Sequence, residues 1–404
     1  MLYTLLFTIA ILTLISAFIP LYMTQQFKKY VDARIGKESS DYTPMVSVII
    51  PCKGTDLEFE QNILAFLSQD YPRYEILFVT ATLGDPARSE LEKILSSTAV
   101  RPAVRLLTAG IHPSRGQKLT NLLKGIESTS PDSEVLVFWD ADIRVHSAYL
   151  RYLIAPLANP KVGATSGFPW YLPVTGNVGS ILRSIWGGGA LPILANQRRN
   201  FASGASNAIR RTVFAQGEVA KAMNRSISDT FAITNSVRRL GLLIEFVPDC
   251  LAVTPDKSTL LETLKWTNRQ TIISRVYSHS FWRMVLVSYS MSNIALLLGL
   301  CLLFAGSFSQ DSLLFLPAAL ILSLVPLEIL NAAILLPIVQ KMIPSQAAQL
   351  RRLRWKYYLL TPFASILIMI NSLFSLTTNE IEWRGIRYRL IDSEHVEVLS
   401  SDNS

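Results

Sequence analysis

Val135-Leu136-Val137-Phe138-Trp139-Asp140-Ala141-Asp142 is a short apolar run closed by two carboxylates one residue apart. Such a run reads as a fully buried strand. Continued alternation past its end turns Asp140 and Asp142 to one side and Ala141 to the other. Paired carboxylates at the rim of a sheet suit a hard divalent cation, Mg2+ or Mn2+, whose oxygen shell is commonly shared with substrate phosphates. A nucleotide diphosphate is the substrate this chemistry suggests. Asp is also a common helix cap, so the pair could instead serve the helix that follows.

Outward from this stretch, residues 46–51 (VSVIIP), 74–79 (YEILFV) and 104–107 (VRLL) read as further short strands. Helical segments fall between them at 62–69, 89–96 and 118–126. Alternating strands and helices predict an α/β domain with a doubly wound, Rossmann-like sheet, whose ligands gather beyond the carboxyl ends of the strands. Pro51, residues 80–85 and Asp140 occupy three such ends, so three separate segments converge on one crevice. Lys53, Arg115 and Lys118 are cations in loops on that side. Lys118 follows Gly116 at a helix start, where the helix dipole would help it meet a phosphate or sugar. Further on, strands are expected at 163–169, 204–211 and 244–247, and helices at 179–188 and 229–240, the latter capped by Gly241.

The rest of the chain is unusually apolar. Half of its 404 residues are hydrophobic and only 17% are charged. Residues 1–27, 284–310 and 357–378 contain no charged side chain, and 312–340 contains only Glu328. Each is long enough to cross about 30 Å of hydrocarbon. The first lacks a basic n-region and an A-x-A-like site, so an uncleaved anchor is expected rather than a signal peptide. Glu328 is expected to face other helices, since an unpaired charge in lipid is costly.

The net charge of +8 is not a nucleic-acid signal. Much of it borders the apolar stretches, as Lys28, Lys29, Arg34 and Lys37, then Lys341, Arg351, Arg352, Arg354 and Lys356. By the positive-inside rule this puts the polar middle of the chain on the cytoplasmic side. The expected boundaries are a transmembrane anchor at 1–27, a linker at 28–43 and a catalytic domain at 44–260. An interfacial segment at 261–283, a transmembrane region at 284–378 and a tail at 379–404 follow. Three spans after a cytosolic domain would leave the basic tail outside, so either the positive-inside rule is weak this far along or, the favoured expectation, one C-terminal stretch is re-entrant or interfacial. Cys52, Cys250 and Cys301 are too far apart in sequence to make a metal pattern and read as free thiols.

Taken together, VIIPCKG (48–54), DYPRYE (70–75), GQK (116–118) with Asn121-Leu122, DADIRV (140–145) and WRGIRYR (383–389) resemble the membrane-bound ceramide glucosyltransferases and related family-2-like inverting glycosyltransferases. The resemblance implies a GT-A fold, a nucleotide-sugar donor (UDP-glucose first) and a lipid hydroxyl as acceptor. It also implies Asp140 and Asp142 on the metal and Asp229 as the general base. The family's nucleotide-holding acid comes just after the second strand. Here Thr80-Ala81-Thr82 intervene and the first acid is Asp85, which precedes Pro86 as that acid does in the family. Glu262-Thr263-Leu264-Lys265-Trp266 replaces a Q/R-x-x-R-W element at the membrane face, with Lys265 where a bidentate arginine is usual. Trp266, Arg269 and Gln270, then Trp383, Arg384 and Arg387, complete the implied acceptor and membrane-face set. From the residues themselves, Asp229 reads equally as the cap of a helix starting at Thr230. Other expected outcomes are a different lipid acceptor (diacylglycerol, a hopanoid or polyprenyl phosphate), a processive polysaccharide synthase, and a non-catalytic membrane scaffold.

Overall fold

The computed structural model describes residues 1–37, 41–99 and 102–401. Residues 38–40 of the expected linker and 402–404 of the expected tail lie outside them. The chain packs as two units. A sheet unit comprises Ala33–Val174, Leu194–Asp256 and Asn379–Ser404, and an apolar unit comprises Met1–Asp32, Thr175–Ile193 and Lys257–Thr378.

In the sheet unit, β1 (Val46–Pro51), β2 (Tyr74–Thr80), β3 (Ala103–Thr108) and β4 (Val135–Trp139) are followed by β5 (Val162–Pro173), β6 (Ser206–Arg210) and β7 (Leu243–Asp256). Their order is β3-β2-β1-β4-β6-β5-β7. The first four are parallel, and β6 runs antiparallel to both β4 and β5. Alternate residues of β1 point to opposite faces, as a pleated strand requires. Val48 and Ile50 join the side packed by α2 (Phe59–Leu67), α3 (Pro86–Ser97) and α5 (Tyr149–Ile154). Ile49 joins the side packed by α4 (Gln117–Glu127), α7 (Arg211–Gln216), α8 (Val219–Met223) and α9 (Asp229–Arg239). The sheet is thus covered on both faces, as expected. It is parallel-dominated rather than wholly parallel.

Two strands run well past their expected ends. β5 and β7 pair in parallel along most of their length, and a bulge between Ser166 and Phe168 absorbs Val247–Cys250. Pro248 and Asp249, which read as a stop, are carried in that bulge. The strand order reverses between β1 and β4, the switch point at which such sheets bind ligands. α4 lies close against this point, since a Cβ on Gly125 would stand 2.4 Å from Ile49 Cγ2. The tail adds a separate antiparallel sheet of β8 (Glu380–Trp383), β9 (Ile386–Leu390) and β10 (Val396–Ser401).

The apolar unit contains α1 (Leu2–Arg34) up to Asp32, α6 (Val178–Gly188), α10 (Leu260–Tyr277), α11 (His279–Ser309), α12 (Phe315–Leu322), α13 (Leu324–Met342) and α14 (Ala347–Phe374). The first helix overruns the expected linker because Phe27, Tyr30 and Val31 form a buried helical face. The expected continuous 44–260 domain is interrupted, because Thr175–Ile193 packs in the apolar unit. The small-residue face of α6 explains this. Thr263 Oγ1 donates to Gly179 O at 2.9 Å, and a Cβ on Gly179 would stand 2.4 Å from the Thr259 carbonyl carbon. Glu328 faces α14, where its carboxyl meets Ser365.

Among the described residues, five segments are long and apolar enough to cross a membrane: Leu2–Arg34, Val178–Ala195, His279–Ser309, Ser312–Met342 and Pro344–Phe374. The hydrogen bonds distinguish the last from its neighbours. Tyr3 pairs with Asp311, which fixes the start of α1 beside the end of α11. Asp32, near the end of α1, pairs with Lys341 at 2.8 Å, so α13 ends at the opposite pole. Trp282 Nε1 donates to Ser375 Oγ at 3.0 Å, and Arg275 donates to Thr378 O at 3.1 Å, so α14 finishes beside the start of α11. α14 therefore begins and ends at one pole, as a re-entrant or interfacial helix does. In a C301S background, Ser345→Cys and Thr377→Cys should react with a membrane-impermeant maleimide from one side of a sealed vesicle, and Gln310→Cys only from the other. Labelling of residues 345 and 377 from opposite sides would show that α14 spans.

Candidate active site

Asp140 leaves β4 with its N–H bonded to Ala205 O at 2.9 Å, which ties it to the strand that enters β6. Its carboxylate is recessed but reachable, with a third of the side chain exposed. Asp142 is similarly placed. Asp229 is the first residue of α9, after Ser228 as N-cap, and is only 2% exposed. The helix-cap alternative for Asp229 is thereby removed. A carboxylate at a helix start is stabilised by the dipole.

One side chain connects these acids. Lys118, in the first turn of α4, places Nζ 2.7 Å from Asp140 Oδ1, 3.2 Å from Asp229 Oδ2 and 2.8 Å from Gly204 O. Burial works against its charge, but Asp140 and Asp229 outweigh burial and hold its pKa above the ordinary lysine value. The Asp140 carboxyl is pushed up, first by its recessed position and then by Asp229, against the pull of Lys118. Asp229 Oδ2 has the ammonium beside it yet accepts no aligned hydrogen bond. Gly204 makes the space, because a Cβ there would stand 2.9 Å from Asp229 Oδ1.

A second cation enters from the tail. Residues 384 and 385 form a two-residue turn between β8 and β9, with φ of 49° and 72°. Positive φ at both positions is the type I′ hairpin turn, which favours Asn-Gly or Gly-Gly and strains an arginine. From that tip Arg384 grips Asp56 with both terminal nitrogens, at 3.1 and 2.8 Å. It also donates to Lys53 O at 2.9 Å and lies 4.0 Å from Asp142 Oδ2. The hairpin is anchored where the Gln117 N–H, at the start of α4, donates to the Tyr388 hydroxyl at 3.2 Å.

Several expected residues are placed elsewhere. Asp85 Oδ1 accepts from Gly54 N at 2.8 Å and Ala87 N at 2.9 Å, so it caps α3 and pins the loop after Pro51. Gly116 is the backbone start of α4 and packs against Ile227. Arg387 lies on the outer face of β9, paired with Glu380 at 2.9 Å. In the apolar unit, Glu262 closes a capping box with Thr259, which explains an acid in the first position of that five-residue element. Lys265 is exposed. Trp266 packs edge-on to Trp186 at 5.2 Å with the Arg183 guanidinium 4.6 Å above its ring, and Arg269 and Gln270 follow on the same helix. Asp56, Gly204 and Tyr388 were not legible as site residues. Lys53 stands out in the loop at 53–56 as a cation on the ligand side, whereas Asp56 does not.

The residues present fit a divalent cation. No group of three or more His, Cys, Asp or Glu among the described residues makes a complete cage. Two recessed carboxylates suffice for Mg2+ or Mn2+, which keeps waters and takes the remaining oxygens from a diphosphate. The centre is rich in negative charge, since Asp56, Asp140, Asp142 and Asp229 gather around Lys118 and Arg384.

A GT-A-like sheet with paired acids at its switch point defines the glycosyltransferase class. Residues 5–396 match glycosyl transferase family 21, and the chain belongs to that family. Its structure is similar to a mannosyltransferase from Pyrobaculum calidifontis in complex with GDP-Man and Mn2+. The identity is 17%, the match covers 92% of this chain and 99% of that one, and the TM-score is 0.51. A weaker likeness joins it to glucosyl-3-phosphoglycerate synthase from Mycobacterium tuberculosis in complex with Mn2+, UDP and glucosyl-3-phosphoglycerate. There the identity is 16%, the coverage 58% and 77%, and the TM-score 0.36. The protein is a glycosyltransferase.

Lys118→Met should leave Asp229 buried without its counter-charge and cost about 3 kcal/mol of stability. Lys118→Met with Asp229→Asn should recover most of that loss in denaturant titrations. Additive losses in the double variant would show that the pair is not coupled.

Proposed function

We propose that this chain transfers a hexose from a nucleotide diphosphate sugar to the hydroxyl of a membrane lipid, with inversion at the anomeric carbon. One observation carries the reading: a single ammonium, Lys118, touches both Asp140 and Asp229. A metal-binding acid and a proton acceptor are then within one small space, as a one-step displacement needs. Asp140 and Asp142 are assigned to the cation, which when bound neutralises charge developing on the diphosphate leaving group.

Asp229 receives the proton of the acceptor hydroxyl as its oxygen attacks the anomeric carbon. Asp229 Oδ2 accepts no aligned hydrogen bond, so its lone pairs suit that task, with the Lys118 ammonium 3.2 Å away. Lys118 and the α4 N-terminus at Gly116 are assigned to the donor, together with Lys53 and the backbone after Pro51. Asp85 acts indirectly, by fixing that loop. UDP-glucose is the first donor to test. GDP-mannose is the second, since it accompanies the Pyrobaculum calidifontis enzyme. The acceptor is assigned to α10, where Trp266, Arg269 and Gln270 run into the apolar α11; a ceramide-like sphingolipid is the first candidate. Lys265 is given no acceptor contact.

Detergent-solubilised enzyme incubated with labelled donors, Mn2+ and lipid extracts should yield one labelled monoglycosyl lipid with inverted anomeric configuration. Asp229→Asn should lower kcat about 10²–10⁴-fold with the fold intact. A retained configuration, or an Asp229→Asn enzyme at the wild-type rate, would overturn the base assignment; a polymeric product would favour a processive synthase.

A further inference from the structure

Arg384 has features that a structural ion pair does not need. It sits where backbone geometry disfavours an arginine, at the first position of a type I′ turn. Strain of this kind tends to persist where the residue has a task. The flanking strands give the tip a firm base. Ile386, Tyr388 and Leu390 form the buried side of β9, and the Tyr388 hydroxyl is fixed to the first N–H of α4. Arg225 with Glu394 and Val398 N with Pro113 O tie the same sheet to neighbouring loops. The guanidinium is therefore delivered to the acids by a rigid arm.

Its partners are ones it can exchange. Asp56 is held in a bidentate grip, whereas Asp142 is only at the edge of contact, at 4.0 Å. A guanidinium fork matches a phosphate as well as it matches a carboxylate. We propose that Arg384 is the cation that grips the donor diphosphate, and that Asp56 is a positioning residue that parks it beside the site until the donor arrives. Moving from Asp56 onto the diphosphate would also carry it away from Asp142. The clustered acids favour a joint entry, because a divalent cation would offset their repulsion of a diphosphate.

The inference rests on the nucleotide-sugar reading, and binding separates the two. Isothermal titration of the full detergent-solubilised chain with inorganic pyrophosphate, in the presence and absence of Mn2+, needs neither the sugar nor the lipid to be known. Wild type should bind pyrophosphate with Mn2+ and much more weakly without it. Arg384→Ala should lose at least tenfold in pyrophosphate affinity and keep its affinity for Mn2+ alone. Arg384→Lys should recover only part of the loss. Asp56→Asn should not weaken pyrophosphate, and should tighten it by a few-fold if parking competes with the ligand. A pair that only fastens the tail would make Arg384→Ala and Asp56→Asn behave alike, and that result overturns the proposal, as does wild-type pyrophosphate affinity in Arg384→Ala. Wild-type protein that binds no pyrophosphate with Mn2+ would overturn the donor reading as well.

Discussion

Four carboxylates at one edge of a sheet repel one another, and the sheet unit holds them together by interleaving fixed cations. Lys118 lies between Asp140 and Asp229, and Arg384 lies between Asp56 and Asp142. Neither cation comes from the strand that carries the acids. Lys118 is delivered by α4, which approaches the sheet closely because position 125 has no side chain. Arg384 is delivered by a hairpin more than 240 residues further along the chain from Asp142. The centre thus depends on the sheet, on one helix start and on the tail at once.

This arrangement explains why the tail belongs to the sheet unit. A basic tail after an odd number of C-terminal crossings would be on the wrong side of a membrane. Within the apolar unit, the two ends of α14 lie at the same pole of the bundle. The helix has the length and composition of a span but the connections of an interfacial or re-entrant element. Length and apolarity qualify a segment to cross; its end contacts decide whether it does.

Much of this was legible in the sequence. Short β-branched runs ending in Pro51 and Trp139 sufficed for the first four strands and the doubly wound order, because full burial leaves a continuous apolar signature. The acids at 140 and 142 followed from the strand end. Partnership was less legible. Lys118 reads as a phosphate contact because its position at a helix start is local information, whereas its pairing with Asp229 depends on contacts 111 residues apart. Asp56 carried no signal, since a lone acid in a Gly-Thr loop is usually solvated. The extended β5 and β7 were hidden by Pro248, which reads as a stop unless the pairing bulge is known. The positions of Glu262 and Asp85 explain departures from the family pattern that the sequence alone left open. One closes a capping box, and the other clamps a loop.

The central claim is that Asp140 and Asp142 hold a divalent cation whose remaining shell is completed by a diphosphate. Electron paramagnetic resonance of Mn2+ titrated into the protein with pyrophosphate measures this directly. One bound Mn2+ per chain is expected in wild type, and none at the same concentrations in Asp140→Asn with Asp142→Asn. Unchanged Mn2+ stoichiometry in that double variant would contradict the account.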